Sequence, residues 1–400
     1  MRKKFLTALT VLASVASLTG CTTTMPAKSQ SPQVAPSPVT TAPQHQPITL
    51  AKLHMFSEQA GWALSGGEIL RTRDGGEHWV IVTPPRYPSG LRGHAMEFLD
   101  ATTAWAAAWN EEGTKIVVFR TANGGQTWQS AGVPLAFKGG ANYPTALSFV
   151  DAERGWLMVE PDHGMNSSPG RLFATTDGGK SWTEIAGTDG SRDGLPFGGT
   201  IRFRNTSEGW VVGSPVSTVN RRLFMTGDGG LTWSEQRPSL PTGLPPGSLD
   251  IDTPPILFPP QRTDGVLLTA FVPESHRAVE FRTVIYSTHD GGKTWGDPRV
   301  AKGRPAFLSA NDAWMWVEEP GSGSTASAHV KLVQTRDGGT TWSDIATEAS
   351  LPKALQAGLH PAQLDFVTDR TGWAIFQLPY GRISQLLKTT DGGSTWVLLE

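Results

Sequence analysis

Cysteine is almost absent from this 400-residue chain, which has a single copy at position 21. One cysteine cannot form an internal disulfide, so a disulfide framework is excluded as a source of stability. Helical periodicity is lacking as well, although about 350 residues remain after the N-terminal segment to bury a core. A chain of this length without disulfides or amphipathic helices needs something repetitive to supply its core.

An excess of positive charge is also missing. The chain has 34 lysines and arginines against 36 aspartates and glutamates, a formal net charge of −2. Without Arg2, Lys3 and Lys4 of the N-terminal segment, 31 basic residues face 36 acidic ones and the net charge becomes −5. This balance argues against nucleic acid as a partner, because phosphate binding requires a basic surface.

Signatures of several enzyme classes are not found. The chain has no Gly-x-Ser-x-Gly, no His-Glu-x-x-His and no phosphate loop, so nucleophilic, zinc and nucleotide chemistry have no support in the sequence. The nine histidines are dispersed, and each is more typical of a surface or turn residue than of a metal ligand. We therefore expect no metal site and no cofactor.

The N-terminal segment has the features of a secretion signal. In "MRKKFLTALTVLASVASLTGC" a basic start precedes an apolar run from Phe5 to Leu18, which is too short to span a bilayer. The residues before Cys21 resemble the lipobox of bacterial lipoproteins, in which the cysteine is lipidated and becomes the mature N-terminus. The alternative, a leftover buried thiol, does not explain why the single cysteine stands where a lipobox needs it.

Three regions follow from this reading. Residues 1–20 are a lipoprotein signal peptide, residues 21–48 are the lipidated cysteine with a tether rich in Thr, Pro, Ser and Gln, and residues 49–400 are the folded domain. A coil of this length holds a domain roughly 30 to 80 Å from a membrane. The expected location is outside the cytoplasmic membrane, anchored to its outer face by lipid.

An eight-residue phrase recurs seven times in the folded domain. Its copies are TRDGGEHW (72–79), TANGGQTW (121–128), TTDGGKSW (175–182), TGDGGLTW (226–233), THDGGKTW (288–295), TRDGGTTW (335–342) and TTDGGSTW (389–396). Each follows a second landmark, a phenylalanine that leads into Gly-Trp or Ala-Trp, at Phe56, Phe98, Phe149, Phe203, Phe258, Phe307 and Phe366. The fifth copy is degenerate, with Val266 in place of tryptophan.

Each unit of about fifty residues contains four short apolar segments, which predicts a four-stranded antiparallel sheet. Seven such sheets predict an all-β, seven-bladed β-propeller. We place the blades at 49–82, 95–131, 145–186, 200–236, 255–297, 305–347 and 362–400. The last blade is complete without a strand from the N-terminus, so ring closure is expected to rest on side-chain packing.

The repeated phrase is expected to be structural. Asp-Gly between two apolar segments is a strong hairpin signal, and the side-chain oxygen accepts hydrogen bonds inside the turn. One carboxylate per repeat falls short of the six to eight oxygens that calcium requires, so calcium is the weaker alternative. The turn residues are Asp74, Asn123, Asp177, Asp228, Asp290, Asp337 and Asp391.

The paired pattern of Phe, Gly-Trp and T-x-D-G-G-x-T-W resembles the Asp-box, or bacterial neuraminidase repeat, over nearly all of residues 49–400. It is most similar to the seven-bladed photosystem II stability/assembly factor-like proteins. That resemblance implies a non-enzymatic protein that binds a protein partner outside the membrane. Sialidases, xyloglucanases and sortilin-type receptors share the repeat, so the motif is specific for fold and poor for function.

A glycan-binding or glycoside-hydrolysing propeller is the alternative. A sialidase is expected to show an Arg-Ile-Pro motif, which this chain lacks, and a tyrosine nucleophile, for which only Tyr87, Tyr143, Tyr286 and Tyr380 exist. Tyr286 is better explained by packing within a blade. A glycosidase of another type needs two facing carboxyl groups, and the spacing of the candidates does not pair them: Asp162, Glu274, Glu318 and Glu319.

Strand direction assigns the turns to two faces of the predicted ring. The turn face carries the connection between the first and second strands of each blade together with the seven T-x-D/N-G-G turns. The spacing from the landmark phenylalanine to the tryptophan position there is nearly fixed, at 6, 7, 7, 7, 8, 7 and 7 residues. The opposite face, the loop face, has connections of individual length and is expected to carry recognition.

The candidate partner-binding residues lie on loop-face segments, since arginine and tyrosine anchor interfaces well. They are Arg86, Tyr87, Arg92, His94, Asp162, His163, Arg192, Glu274, His276, Arg277, Tyr380 and Arg382. Trp109 and Trp316 stand outside both landmarks and are either exposed anchors or packing residues. The expected function is binding of a protein partner at or near the membrane surface, with a glycan as the alternative ligand.

Overall fold

The computed structural model describes residues 49–88, 94–110, 115–135, 142–161, 170–186, 197–214, 220–259, 261–274, 282–319, 329–356, 358–378 and 383–399. These residues form seven separate antiparallel sheets, each built from strands that are consecutive in the chain. The structure is therefore an all-β, seven-bladed propeller, as the repeats predict.

The first four blades contain sixteen strands. They are β1 (Lys52–Met55), β2 (Gly61–Ser65), β3 (Glu68–Thr72), β4 (Val80–Ile81), β5 (Ala95–Phe98), β6 (Ala104–Trp109), β7 (Ile116–Thr121), β8 (Gln129–Gly132), β9 (Asn142–Phe149), β10 (Gly155–Pro161), β11 (Arg171–Thr175), β12 (Thr183–Ala186), β13 (Phe197–Phe203), β14 (Gly209–Ser214), β15 (Arg222–Thr226) and β16 (Ser234–Gln236).

The last three blades contain thirteen strands. They are β17 (Gly247–Asp250), β18 (Ile256–Leu257), β19 (Gly265–Pro273), β20 (Arg282–Thr288), β21 (Arg299–Ala301), β22 (Ala306–Phe307), β23 (Ala313–Glu319), β24 (His329–Thr335), β25 (Ser343–Thr347), β26 (His360–Phe366), β27 (Gly372–Gln377), β28 (Ser384–Thr389) and β29 (Val397–Leu399). A three-residue 3-10 helix, Glu348–Ser350, follows β25. Within the described ranges, no helix is long and apolar enough to cross a membrane.

Blade five differs most from its predicted form. Its innermost strand is split into β17 and β18, which both pair with β19, so the blade begins at Gly247 rather than near residue 255. The turn that follows β18 is closed by a bond from the Phe258 amide to the Asp264 carbonyl, whereas a typical blade closes it from Val150 to Arg154. This turn is two residues longer than its counterpart.

The register of the sheets corrects two landmark assignments. Phe149 lies opposite Gly155, and the residue in that position is Met55 in blade one and Leu257 in blade five. Phe56 and Phe258 therefore lie one residue beyond the landmark position. Measured from Met55 the spacing in blade one is the usual 7, whereas from Leu257 it is 9, because the turn of blade five has two extra residues. The sequence alignment on phenylalanine was wrong at these two sites, because an apolar side chain of another type fills the same space.

The core consists of the interfaces between blades. Trp105 of blade two stacks on Phe149 of blade three with ring centroids 3.6 Å apart, and Phe149 meets Trp182 edge-on at 6.1 Å. Trp156 and Phe203 repeat the stack at 3.7 Å between blades three and four. The two sequence landmarks are thus the two sides of one aromatic interface, which accounts for their strict recurrence.

The ring closes between blades seven and one without exchange of a strand. The side chain of Gln363 accepts a hydrogen bond from the Leu53 amide (3.0 Å) and donates one to the Leu53 carbonyl (2.5 Å). The carboxylate of Asp365 accepts a bond from the Met55 amide at 2.7 Å. Closure therefore combines apolar packing with side-chain hydrogen bonds to the edge of β1. The sequence predicted only the packing.

Candidate functional site

The seven repeated turns are held by the same local bonds. In the third copy, Thr175 Oγ1 donates to Asp177 Oδ1 (2.8 Å) and accepts from the Gly179 amide (2.9 Å). Asp177 Oδ1 also accepts from the Ser181 amide, and Oδ2 accepts from Ser181 Oγ at 2.5 Å. Bonds to Ser181 are the main reason that the pKa of Asp177 falls to about 2. Both carboxylate oxygens are thus engaged inside the turn.

Asn123 shows what the turn requires. Its Oδ1 accepts from Thr121 Oγ1 and from the Thr127 amide, both at 3.0 Å, as the aspartates do. Its Nδ2 donates to Thr127 Oγ1 at 2.8 Å, so only the direction of one bond is reversed. A side-chain oxygen at this position is sufficient, and a negative charge is not needed for the turn geometry.

The seven repeated turns are also hydrogen-bonded to the other connections on the turn face. In all seven blades the first glycine of the Gly-Gly pair donates its amide to a carbonyl in the turn between the first two strands, as Gly178 does to Glu153 at 2.7 Å. Positive φ angles at these glycines, 76° at Gly178 and 88° at Gly179, make the approach possible. Turn positions predicted to share a face are therefore bonded directly to each other.

The ring encloses a central channel lined by the first strand of each blade. In each first strand, the residue directly before the landmark position lies opposite the tryptophan position of the second strand. Its side chain lies along this channel. We call these residues the channel ring: His54, Glu97, Ser148, Arg202, Ile256, Ala306 and Asp365. Five of the seven are polar or ionisable, although their neighbours in the strands are largely apolar.

Two cavities occupy the channel, and between them all seven ring residues contribute to their walls. The larger has a volume of about 840 Å³ and lies along blades one to five, with His54, Glu97, Ser148 and Arg202 in its wall. The smaller has a volume of about 690 Å³ and lies along blades five to seven, with Asp365, Lys302 and Arg304 in its wall. Volumes of this size are typical of small-molecule sites.

Arginines dominate the charge of the larger cavity. Arg202 lies on β13, Arg204 follows that strand, and Arg262 lies in the long turn of blade five. Arg204 is neutralised by an ion pair with Glu208, and its Nη1 donates to the Arg262 carbonyl at 3.0 Å. Within the described ranges, no hydrogen bond or ion pair connects the Arg202 side chain to a protein group. Arg202 therefore presents to the channel a guanidinium that forms no ion pair with the described residues.

The channel environment shifts the pKa values of two groups that lie opposite Arg202. Burial raises the pKa of the Glu97 carboxyl to about 7, although the positive charges of Arg202 and Arg262 oppose the rise. Burial, followed by repulsion from Arg202, lowers the pKa of His54. The side chain of His54 is nevertheless accessible to solvent. All three side chains lie in the wall of the larger cavity and therefore face a common space.

Asp365 is the second channel carboxyl with a raised pKa. Burial raises its pKa to about 7, and the hydrogen bond from the Met55 amide opposes the rise. Its bond to Met55 makes it part of the ring closure, and it lies in the wall of the smaller cavity. Asp365 is thus a structural carboxyl at the edge of a cavity.

Four of the partner-binding candidates are described on or beside the loop-face connections. Arg86 is exposed and has a φ angle of 62°. Tyr87 and His94 are brought together, with the phenol oxygen 2.9 Å from His94 Nδ1. Burial raises the pKa of Tyr87 and lowers that of His94. Glu274 is exposed directly after β19 of blade five, far along the chain from this pair.

The two additional tryptophans are packing residues to different degrees. Trp316 is 8% exposed and contacts Phe376 and Trp396 at ring distances of 5.4 and 5.7 Å. Its burial contradicts a role as an exposed anchor and matches the packing alternative. Trp109 is half-buried, with its ring 6.2 Å from that of Tyr143.

Tyr286 and two glycosidase candidates have structural partners. Tyr286 is fully buried, and its hydroxyl donates to the Ser239 carbonyl at 2.5 Å. Glu318 Oε1 lies 3.0 Å from His360 Nδ1, and Glu319 forms an ion pair with Lys331 at 2.9 Å. Eight partner-binding candidates lie outside the described residues, as does Cys21: Arg92, Asp162, His163, Arg192, His276, Arg277, Tyr380 and Arg382.

The channel residues were missed at the level of sequence, although a signal for them exists. Glu97, Arg202 and Asp365 each directly precede a landmark phenylalanine, at a strand position where an apolar residue would otherwise be expected. A comparison of this position across the seven repeats identifies polar residues that converge on the axis of the ring.

Comparison with known proteins supports the fold alone. No protein-family model matches the chain, and no curated protein matches it. Among solved structures it is similar to an oligogalacturonate lyase from Vibrio parahaemolyticus, with 8% identity, a TM-score of 0.51, and coverage of 86% of this chain and 90% of that one. It is also similar to YCF48 from Cyanidioschyzon merolae, with 15% identity, a TM-score of 0.45, and coverage of 88% and 95%.

A third similar structure is the GH74 xyloglucanase from Xanthomonas campestris, with 14% identity and a TM-score of 0.35. The match covers 86% of this chain and 63% of the xyloglucanase. At these identities a shared propeller does not transfer an activity, because one fold carries many functions.

Proposed function

We propose that this chain is an extracytoplasmic, lipid-anchored propeller that binds a protein partner and serves as an assembly or stability factor for a membrane complex. The supporting observation is the contrast between the two faces. The turn face is closed in every blade by the same amide-to-carbonyl bond, which leaves its backbone groups occupied. The loop face carries connections of individual length, with Arg86 exposed beside the Tyr87–His94 pair.

Photo-crosslinking in the native membrane tests which face binds. A crosslinker at Arg86 or Glu274 is expected to yield a discrete adduct with one membrane-associated protein. Lys180 is the matched control on the turn face, because it is exposed and forms no ion pair with a described residue. Lys293 is less suitable, since it contacts Glu208 at 3.1 Å. The same adduct from Lys180 alone would contradict the proposal.

Lipid anchoring is tested separately. Cys21→Ser removes the thiol that a lipoprotein needs for acylation, so the variant is expected to leave the membrane fraction and appear in the soluble extracytoplasmic fraction. Ala51→Ser is a suitable control, since it changes a residue beyond the tether. Membrane association of Cys21→Ser equal to that of the control would contradict lipidation.

A glycan-directed function is the second candidate, favoured by the channel itself. A cavity of about 840 Å³ with arginines and a carboxyl of raised pKa has the size and polarity of a saccharide site. Two of the similar structures are an oligogalacturonate lyase and a xyloglucanase. Turnover of a panel of neutral and acidic oligosaccharides by the wild-type chain, lost on substitution of Glu97, would favour this function over partner binding.

A further inference from the structure

The irregular first-to-second-strand turn of blade five has a consequence for the channel. Arg262 has a φ angle of 56°, a left-handed conformation that is uncommon for a non-glycine residue. The turn is anchored by the Arg262 amide, which donates to Phe258 at 3.1 Å, and by Arg204, which donates to the Arg262 carbonyl. The two extra residues of this turn therefore hold an arginine at the wall of the larger cavity.

The electrostatics define a small cluster at this point of the channel. His54, Glu97, Arg202 and Arg262 line the same cavity, so groups of blades one, two, four and five share one space, and the positive charges of Arg202 and Arg262 act on the Glu97 carboxyl. Lys52 adds another cation to the same cavity wall. Because the charge of Arg204 is neutralised by Glu208, the acid that remains to balance these cations is Glu97.

The cluster is suited to a carboxylate. A guanidinium presents a planar pair of donors that matches the two oxygens of a carboxylate. Because burial raises the pKa of Glu97 to about 7, this side chain can be neutral near neutral pH and donate a hydrogen bond to an incoming anion. An ionised Glu97 repels any anion, and sulfate, which stays doubly charged, is repelled more strongly than a monocarboxylate such as galacturonate.

We propose that the larger channel cavity binds a small organic carboxylate, with Arg202 and Arg262 as cationic anchors and Glu97 and His54 as hydrogen-bonding groups on the opposite wall. The site includes Arg262 of a turn-face connection, and its cavity also reaches loop-face residues, among them Gly66 and the partner-binding candidate His94. The carboxylate site does not depend on the proposed partner binding.

Calorimetric titration of the full chain in detergent tests the site, with citrate, succinate, galacturonate, phosphate and sulfate as probes. At least one carboxylate is expected to bind at pH 6 with a dissociation constant below about 1 mM, the range of a modest small-molecule site. Arg202→Gln is expected to weaken it at least tenfold. The control Lys302→Gln removes one positive charge from the smaller cavity and is expected to leave binding unchanged.

A second variant keeps the test decisive if Arg202→Gln disturbs folding. The other charged and titratable groups in the same cavity wall are Lys52, His54, His94, Arg202, Arg204 and Arg262, and burial lowers the pKa of His54. As pH falls from 8 to 6, Glu97 gains a proton and the site becomes more positive, so wild-type binding is expected to tighten severalfold. Glu97→Gln is expected to bind well at pH 8 and to flatten this dependence.

Three results would overturn the assignment. One is the absence of binding by every carboxylate probe up to 10 mM, which is about the weakest affinity that a built site would show. Another is equal affinity in wild type and Arg202→Gln when both have the same melting temperature. The third is binding of phosphate and sulfate as tight as that of the carboxylates, which would indicate a general anion site.

Discussion

Two junctions of the ring differ in how they join neighbouring blades. Between blades three and four, which are continuous in the chain, Trp156 stacks on Phe203, and Ser148 Oγ accepts the Phe203 amide at 2.8 Å. Between blades seven and one, the corresponding acceptor is Asp365 and the landmark side chain is Met55, so the aromatic stack is missing there. Both junctions keep one further bond, from the second-strand tryptophan to a turn glycine.

That bond is nearly identical at the two places. Trp156 Nε1 donates to the Gly229 carbonyl at 2.9 Å, and Trp373 Nε1 donates to the Gly75 carbonyl at 2.8 Å. The closing junction thus preserves the repeat's geometry although its two blades lie at opposite ends of the domain. Gln363 supplies the extra bonds to β1 that replace the stack. Because its contacts are polar, the stability of the junction between blades seven and one depends more on protonation than that of the junction between blades three and four.

The largest expected effect is at the aromatic junction. Trp156→Ala removes a buried ring that stacks on Phe203, and a loss of about 3 to 5 kcal/mol in the free energy of unfolding is expected. Trp156→Phe keeps an aromatic ring and loses the bond to Gly229, so it should cost much less. Denaturant unfolding of both variants measures the difference. Equal losses would show that the hydrogen bond, rather than the stack, holds this junction.

At the closing junction, Asp365→Ala leaves the buried Met55 amide without its acceptor, at a cost of about 1 to 3 kcal/mol. Ser148→Ala does the same to the Phe203 amide and is the matched control. The rate of backbone amide hydrogen exchange is expected to rise in β1 and β26 for Asp365→Ala. The control variant should leave the exchange rates of those strands unchanged. Faster exchange spread evenly over all blades would argue that the closing junction is no weaker than the others.

The pH dependence of stability should also differ between the two junctions. With its pKa raised to about 7, Asp365 retains a proton in the folded state that the unfolded chain releases near pH 4. The associated stability is complete below pH 4 and is lost as pH rises through 7. Asp365→Asn is therefore expected to lose less stability than wild type between pH 5 and pH 8. Glu97 contributes a slope of the same sign, so the double variant with Glu97→Gln should show the flattest profile.

The smallest effect is expected at the repeated turn. Asp177→Asn retains an oxygen for Thr175 and the Ser181 amide, as Asn123 does in the second blade. A change below about 1 kcal/mol in unfolding free energy is expected, since one local bond reverses direction. Asp177→Ala, which removes the oxygen, should cost more. A large loss for the asparagine variant would reveal a role for the charge.

Much of the fold could be predicted from the sequence because the relevant bonds are local. Thr175, Asp177 and Gly179 bond within five residues, and the phrase that contains them repeats at a regular period. The number of blades, their sheet type and the two faces follow from that period and from strand alternation. Phe56 was misaligned with its counterparts because Met55 fills the same space without being aromatic.

The candidate site could not be predicted in the same way. Glu97 and Arg202 are more than a hundred residues apart, and nothing in their local sequence shows that they meet. The loop-face residues were favoured instead because variable loops often carry function, and most of them lie outside the described residues. Tyr87 and His94 were both selected from the segment 85–94, and their pairing emerged only from the structure.

The sequence by itself determined the unit of this protein: four strands, a turn closed by Thr and Asp, and a tryptophan and phenylalanine that mark the two sides of a blade. Those features depend on contacts between residues close in the chain, so each repeat encodes them again. Only the tertiary structure decided what the seven units do together. Closure of the ring turns one position of each first strand toward a common axis, and there His54, Glu97 and Arg202 share a cavity because the ring is closed.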